Sequence, residues 1–176
     1  MRKLSLYIAS SIDGYIAKPD GSVDWLEDFP NPDEPDMGYF DFIKDVDTLL
    51  FGAKTYRQVL TFGEWPYEGK ESFVFSRNPV AAHDDKVTFI SGDIVHFLND
   101  LKTKPGKTIW LVGGGEINSL LLNNDLIDEI ILTLVPMVLG NGVPLFAHGK
   151  LDKVLKLSST KTYTNGMVQM TYSKAK

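Results

Sequence analysis

Three consecutive glycines, Gly113, Gly114 and Gly115, follow the apolar run Ile109-Trp110-Leu111-Val112 and precede Glu116 and Ile117. A strand that runs through glycine into a helix offers main-chain amides at a sheet edge. The first N–H groups of a helix have no intrahelical acceptor, and the helix dipole favours negative charge beside them. Glycine adds access, because no Cβ keeps a ligand from the backbone. Such an end suits a phosphate. The same glycines also suit a tight turn where strand and helix pack closely, and their spacing is neither G-x-G-x-x-G nor a P-loop. Alone, they admit both readings.

Two further strand ends carry similar chemistry. Gly52-Ala53-Lys54-Thr55 places a cation and a hydroxyl where a strand meets a helix, and Ser76-Arg77-Asn78 follows the apolar Phe73-Val74-Phe75. Taken singly, Lys54 and Arg77 read more often as solvated surface charges. In an open α/β sheet, however, ligands bind beyond the carboxyl ends of the strands. Three such ends together suit a dinucleotide with several phosphates.

Acids and aromatics come next. Asp36 stands just before a helical pattern, either as its cap or as an acidic pocket residue. Asp13 can orient substrate or water, or belong to an ordinary Asp-Gly turn. Trp25 can stack on a cofactor or anchor its loop. His83, His96 and His148 are scattered without metal-ligand spacing, and the chain has no cysteine, so thiolate chemistry and sulfur-ligated metals are excluded. No G-x-S-x-G elbow is present. No metal is expected.

The elements that position these residues are read from periodicity. Lys3 to Ala9 alternates as a first strand. Ser10 to Pro35 is a long irregular stretch with four prolines, the expected lid or binding loop. Met37 to Val46 has helical spacing, Thr48 to Gly52 is a buried strand, and Lys54 to Leu60 a short helix. Ser72 to Ser76 and Val87 to Ile90 read as strands, Ile94 to Leu101 as a helix, and Thr108 to Val112 as a strand. The helix Glu116 to Leu122 and the long strand Leu126 to Val135 follow. Leu155 to Thr162 and Met167 to Tyr172, joined around Asn165-Gly166, form a hairpin. Strand–helix alternation through residue 122 followed by strands alone predicts an α/β fold. It is a mostly parallel central sheet of about eight strands with helices on both faces and an antiparallel C-terminal edge.

Bulk properties set outer bounds. The chain has 176 residues, a formal net charge of −5 and 43% apolar residues, ordinary values for one soluble domain. That charge balance gives no footprint for nucleic acid or an anionic membrane. The apolar start at the N-terminus is too short and interrupted for a signal peptide, and no window approaches a membrane span. A cytoplasmic protein is expected. The apolar run Leu126 to Val135 is either an edge that pairs with a second copy, giving a homodimer, or a central strand.

These residues resemble the dihydrofolate reductase-like fold, and more closely the reductase domain that forms the C-terminal part of bifunctional riboflavin-biosynthesis deaminase–reductases. The likeness spans almost the whole chain, residues 1–176 read as one such domain. It is carried by Ala9-Ser10-Ser11-Ile12-Asp13-Gly14-Tyr15-Ile16-Ala17, by Thr48-Leu49-Leu50-Phe51-Gly52-Ala53-Lys54-Thr55-Tyr56, and above all by Gly113-Gly114-Gly115. Leu126-Ile127-Asp128-Glu129-Ile130, Pro136 and Gly140-Asn141-Gly142-Val143-Pro144-Leu145-Phe146 complete the set.

The resemblance implies a three-layer αβα domain that binds NADPH along the sheet edge and delivers hydride to a small heterocyclic or ribosylamino-type substrate. Carried over, Ala9, Ser10 and Ile12 border the nicotinamide, with Asp13 and Trp25 on the loop covering it. Gly113, Gly114, Gly115, Glu116 and Ile117 hold the pyrophosphate. Gly52, Lys54, Thr55, Ser76 and Arg77 lie at the adenosine end. Two departures stand out. Ala53 occupies a place where this fold often carries arginine after glycine. From Pro19 to Ile43 there is no Lys or Arg, but Asp20, Asp24, Glu27, Asp28, Asp33, Glu34, Asp36 and Asp41 are present, an acidic wall that repels a phosphorylated substrate. A pterin reductase using Asp36 and a non-catalytic NADP-binding protein are the alternatives.

Overall fold

The computed structural model describes residues 1–77, 84–147, 149 and 151–175; Asn78, His83 and His148, weighed above, lie outside them. Ten strands and four α-helices are found among the described residues. In chain order they are β1 (Leu4–Ser11), β2 (Tyr15–Ala17), α1 (Tyr39–Lys44), β3 (Val46–Gly52), α2 (Ala53–Leu60), β4 (Glu71–Phe75) and β5 (Thr88–Ile90). Then come α3 (Ile94–Thr103), β6 (Thr108–Gly113), α4 (Gly115–Asn123), β7 (Glu129–Val135), β8 (Val143–Pro144), β9 (Leu155–Thr162) and β10 (Val168–Lys174). A 3-10 turn, Asp24–Asp28, interrupts the long loop after β2.

The main sheet has eight strands in the order β5-β4-β3-β6-β1-β7-β10-β9. The pairs from β5 to β7 are parallel, and β10 runs antiparallel to both β7 and β9. This is the predicted three-layer architecture. Alternation builds its two cores, since successive side chains of a strand point to opposite faces. Leu50 joins Leu4, Leu6 and Leu111 against Leu98 and Leu101 of α3 and Ile117 and Leu121 of α4. Its neighbours Leu49 and Phe51 join Val74 and Trp110 on the other face, against Tyr56 and Val59 of α2 and Phe42 and Ile43 of α1. Leu4, Leu6, Leu49 and Leu50 are wholly inaccessible, and each such side chain contributes about 1.5–3 kcal/mol relative to leaving it in water.

Two expectations change, and the sheet order settles a third point in favour of the central-strand alternative. The helix predicted from Met37 to Val46 is shorter, because Met37 and Gly38 take positive φ (47° and 83°) and Val46 already pairs with Thr108. The long strand begins at Glu129; Leu126 and Ile127 are core residues of the preceding turn, where the Leu126 amide donates to Leu121 O. β7 lies between β1 and β10, so its apolar run is satisfied inside the sheet and offers no edge to a second copy. The outer strand at that side is β9, whose residues after Leu155 are all exposed and include Lys156 and Lys161. The small β2–β8 sheet was not foreseen; two or three residues are too few for a period to register. Gly142 makes it possible, since a Cβ there would lie 2.1 Å from Ala17 O.

A third core, Trp25, Val135, Tyr163 and Met167, fastens the long loop to the C-terminal hairpin. Among the described residues no helix is long and apolar enough to cross a membrane, and no group of His, Asp and Glu is placed to hold a metal ion.

Candidate active site

β3 and β6 are neighbours, so the helices that follow them, α2 and α4, begin side by side at the carboxyl edge of the sheet. The three glycines between β6 and α4 do different jobs there. Gly113 is buried with φ 122°, a conformation that L side chains rarely adopt, and a cis peptide bond links it to Gly114. Gly115 is dictated by packing: a Cβ would fall 2.2 Å from Pro144 O. Gly114 differs. Its Cβ would meet only the Thr55 hydroxyl at 3.2 Å and Ile16 at 4.0 Å, so its missing side chain keeps the space between the two helix ends open. The packing reading of the glycines thus holds at Gly115, while Gly114 leaves room between the helix ends.

The amides of this shelf are available. No acceptor among the described residues takes a hydrogen bond from Gly114, Gly115, Glu116 or Ile117 N–H, and no side chain caps α4. No side chain caps the Lys54 and Thr55 amides at the start of α2 either, while the Gly52–Phe75 bridge of the β3–β4 ladder draws on the Ala53 amide. Gly52 brings the two ends together, its Cβ position lying 3.5 Å from both Gly113 O and Gly114 N. Unsatisfied donors converging from two helix dipoles form an anion cradle. On its rim, Lys54 Nζ stands 3.9 Å from Glu116 Oε1 and Arg77 Nη2 donates to Glu116 Oε2 at 3.1 Å. Ser76 closes the end of β4, where its amide donates to Ile90 O.

At the end of β1, Ala9 is half-buried, Ser10 is buried with its hydroxyl donating to Ser11 O, and Ile12 stands exposed. Ile8, also on β1, reaches within 3.5 Å of the Gly113 Cβ position, so this strand end adjoins the shelf.

The two candidate acids have other duties. Asp13 accepts from the Ser11 hydroxyl at 2.6 Å, from Leu139 N at 3.1 Å and from Gly140 N at 2.7 Å. The Ser11 hydroxyl bond, together with these amides, holds its carboxyl below the usual carboxylate range. A carboxylate kept anionic in this way clamps the β1–β2 turn to the loop after β7 and is a poor proton donor near neutral pH. Asp36 accepts from Phe40 N at 2.9 Å, the capping alternative, although Gly38 occupies the cap position itself. Trp25 is 1% exposed and lies inside the third core, as an anchor of its loop; its indole N–H has no partner among the described residues. His96 is exposed, 3.4 Å from Asp100 on α3.

The structure also assembles a polar row that sequence reasoning missed. Register aligns Ala9 of β1 with Thr133 of β7 and Thr133 with Gln169 of β10, so the three share one face. Gln169 Nε2 donates to Thr133 Oγ1 at 3.1 Å, and to Met37 O at 3.2 Å. The hydroxyls of Tyr7 and Tyr163 also donate to Met37 O, each at 3.1 Å. Burial pushes the Tyr7 phenol up to about 12. The only sequence signal was Thr133, a lone hydroxyl within the apolar run of β7.

Sheet order, the antiparallel end and the edge cradle define a dihydrofolate reductase-like α/β domain. The fold superposes on dihydrofolate reductase from Enterococcus faecalis, solved in complex with NADP(H), with TM-score 0.72 and 16% identity over 99% of this chain and 97% of that one. More particularly, residues 2–169 match the RibD C-terminal domain, and the chain belongs to that family. It is 42% identical to the uncharacterized protein YwjB of Bacillus subtilis (strain 168), across 99% of both chains. A Shewanella sp. PV-4 structure, described as a candidate riboflavin biosynthesis protein, gives TM-score 0.87 and 34% identity with 99% of each chain covered. The family and these neighbours support an oxidoreductase of the riboflavin-pathway or dihydrofolate reductase type.

Proposed function

We propose that this protein is an NADPH-dependent reductase acting on a C=N or C–N group of a small heterocyclic substrate that carries no phosphate. The observation that carries the reading is the set of acceptor-free amides at Gly114, Gly115, Glu116 and Ile117, opening beside the uncapped start of α2. A cradle of this kind fits a pyrophosphate, and Lys54, Thr55 and Arg77 on its rim fit a further phosphate. Bound there, the dinucleotide supplies a hydride; the protein contributes orientation and a screened cavity.

The substrate side follows from β1. Ala9, Ser10 and Ile12 form the wall next to the shelf, and Thr133, Gln169 and Tyr7 extend it with groups that donate and accept hydrogen bonds. Tyr7 keeps its phenolic proton across the physiological range and holds it on Met37 O, which leaves its oxygen as an acceptor. Such a surface reads ring carbonyl and amine edges, not charge. The acidic loop argues against phosphate: Lys18 neutralises Asp24, Lys44 neutralises Asp41 and Lys161 neutralises Glu34. Asp20, Glu27, Asp28, Asp33 and Asp36 have no ion-pair partner among the described residues. Because Asp36 is engaged with the Phe40 amide, a pterin reductase that depends on it is the weaker alternative.

Titrating NADPH into the protein by calorimetry tests the reading. Wild-type protein is expected to bind, and Gly114→Val, which places branched carbons against Thr55 within the cradle, is expected to weaken binding by at least about tenfold, or about 1.4 kcal/mol. Unchanged affinity in that variant removes the glycine shelf from the site.

A further inference from the structure

The rim of the shelf carries a charge arrangement that a simple phosphate site would lack. Lys54 follows β3, Arg77 follows β4 and Glu116 follows β6, so three strand exits bring two cations and one carboxylate to a single point. Lys54 and Arg77 are 87% and 94% exposed and Glu116 69%, which means the cluster is held by charge alone, with little packing to fix it. Glu116 also sits in the first turn of α4, where a negative charge is favoured by the open amides.

We propose that Glu116 is the specificity-determining residue of the dinucleotide shelf: in the ligand-free protein its carboxylate occupies both rim cations and so sets how far a 2′-phosphate on the ribose is preferred. The inference rests on the reductase reading above. A 2′-phosphate must separate Glu116 from Lys54 and Arg77 before it gains either cation. A dinucleotide with a free 2′-hydroxyl displaces nothing there. Glu116 thus weakens NADPH selectively, and the chain discriminates between NADPH and NADH less sharply than two free cations would allow.

Dissociation constants for NADPH and NADH, read by quenching of intrinsic tryptophan fluorescence, test this in wild type and in Glu116→Gln. The neutral isostere is expected to tighten NADPH by about three- to tenfold, the combined worth of two exposed ion pairs, and to leave NADH within about twofold. In a Lys54→Ala, Arg77→Ala background the gain is expected to vanish, as a double-mutant cycle requires of groups that act through each other. An unchanged NADPH-to-NADH ratio overturns the role of Glu116 alone. Weaker NADH binding by Glu116→Gln overturns it too, and makes the carboxylate a direct acceptor of the ribose hydroxyl. If wild-type protein binds neither dinucleotide, the reductase reading falls and this inference with it.

Discussion

The glycine shelf and the loop from Lys18 to Gly38 border the same end of the sheet, yet they treat their backbone groups in opposite ways. The shelf leaves a row of amides without acceptors. The loop binds itself down: Lys18 and Ser22 close a turn, Asn165 Nδ2 donates to Phe29 O at 2.9 Å, Gln58 donates to Gly21 O, and Trp25 is sealed in a core of its own. Buried main-chain groups left unpaired are costly, so open donors at an edge leave capacity for an acceptor from outside, whereas a region whose anchors are mostly engaged is fixed in position. The shelf keeps donors in reserve and the loop has engaged most of its own.

The contrast is sharpest within the glycine run. Gly115→Ala drives a methyl into Pro144 O and is expected to cost about 3 kcal/mol in urea unfolding, the upper range for overpacking. Gly114→Ala should stay within about 1 kcal/mol of wild type in the same measurement, since only the Thr55 hydroxyl must give way. Equal losses at both positions would mean that the shelf is a packing feature throughout.

The loop should respond to its fastenings. Asn165→Ala removes the bond to Phe29 O and the bond from Met167 N, at 3.1 Å. It is expected to lower stability by about 1–2 kcal/mol and to speed limited proteolysis between residues 19 and 35. NADPH affinity should stay unchanged. A variant that loses cofactor binding as well would join the two regions into one.

The smallest effect concerns pH. The Tyr7 phenol, raised by burial from 10.0 to about 12, keeps its proton in the folded state after the unfolded chain has released it. Its contribution to stability is therefore complete below pH 10 and is lost as pH rises from 10 toward 12. Tyr7→Phe should flatten that part of the alkaline limb; Tyr56 and Tyr67, also raised by burial, retain the rest. An unaltered limb would place Tyr7 in contact with solvent.

Much of the architecture was legible in the sequence because it is periodic. The alternation in Leu4, Leu6 and Ile8 and the continuous run from Thr48 to Phe51 mark strands without any knowledge of their partners. The shelf was legible for a related reason: strand, glycines and helix are contiguous, so one window contains the whole device. The polar row of Tyr7, Thr133 and Gln169 was not, because it exists only once β7 has paired with β1 and β10 in one register. Asp13 and Asp36 could be placed, but their duties depend on amides at Leu139, Gly140 and Phe40. Nor does composition reveal that Glu116 faces the cations of two other strand exits.

The fastening of the loop by Tyr163, Asn165 and Met167 has a consequence for synthesis. The loop leaves the ribosome early, but the residues that dock it are more than a hundred positions downstream, and until they emerge Trp25 has no core to enter. Long-range pairing of this kind is slow to form and exposes apolar surface meanwhile. The loop is thus fastened late, and a nascent chain stalled before the hairpin would carry the glycine turn between β6 and α4 beside a loop still unfastened.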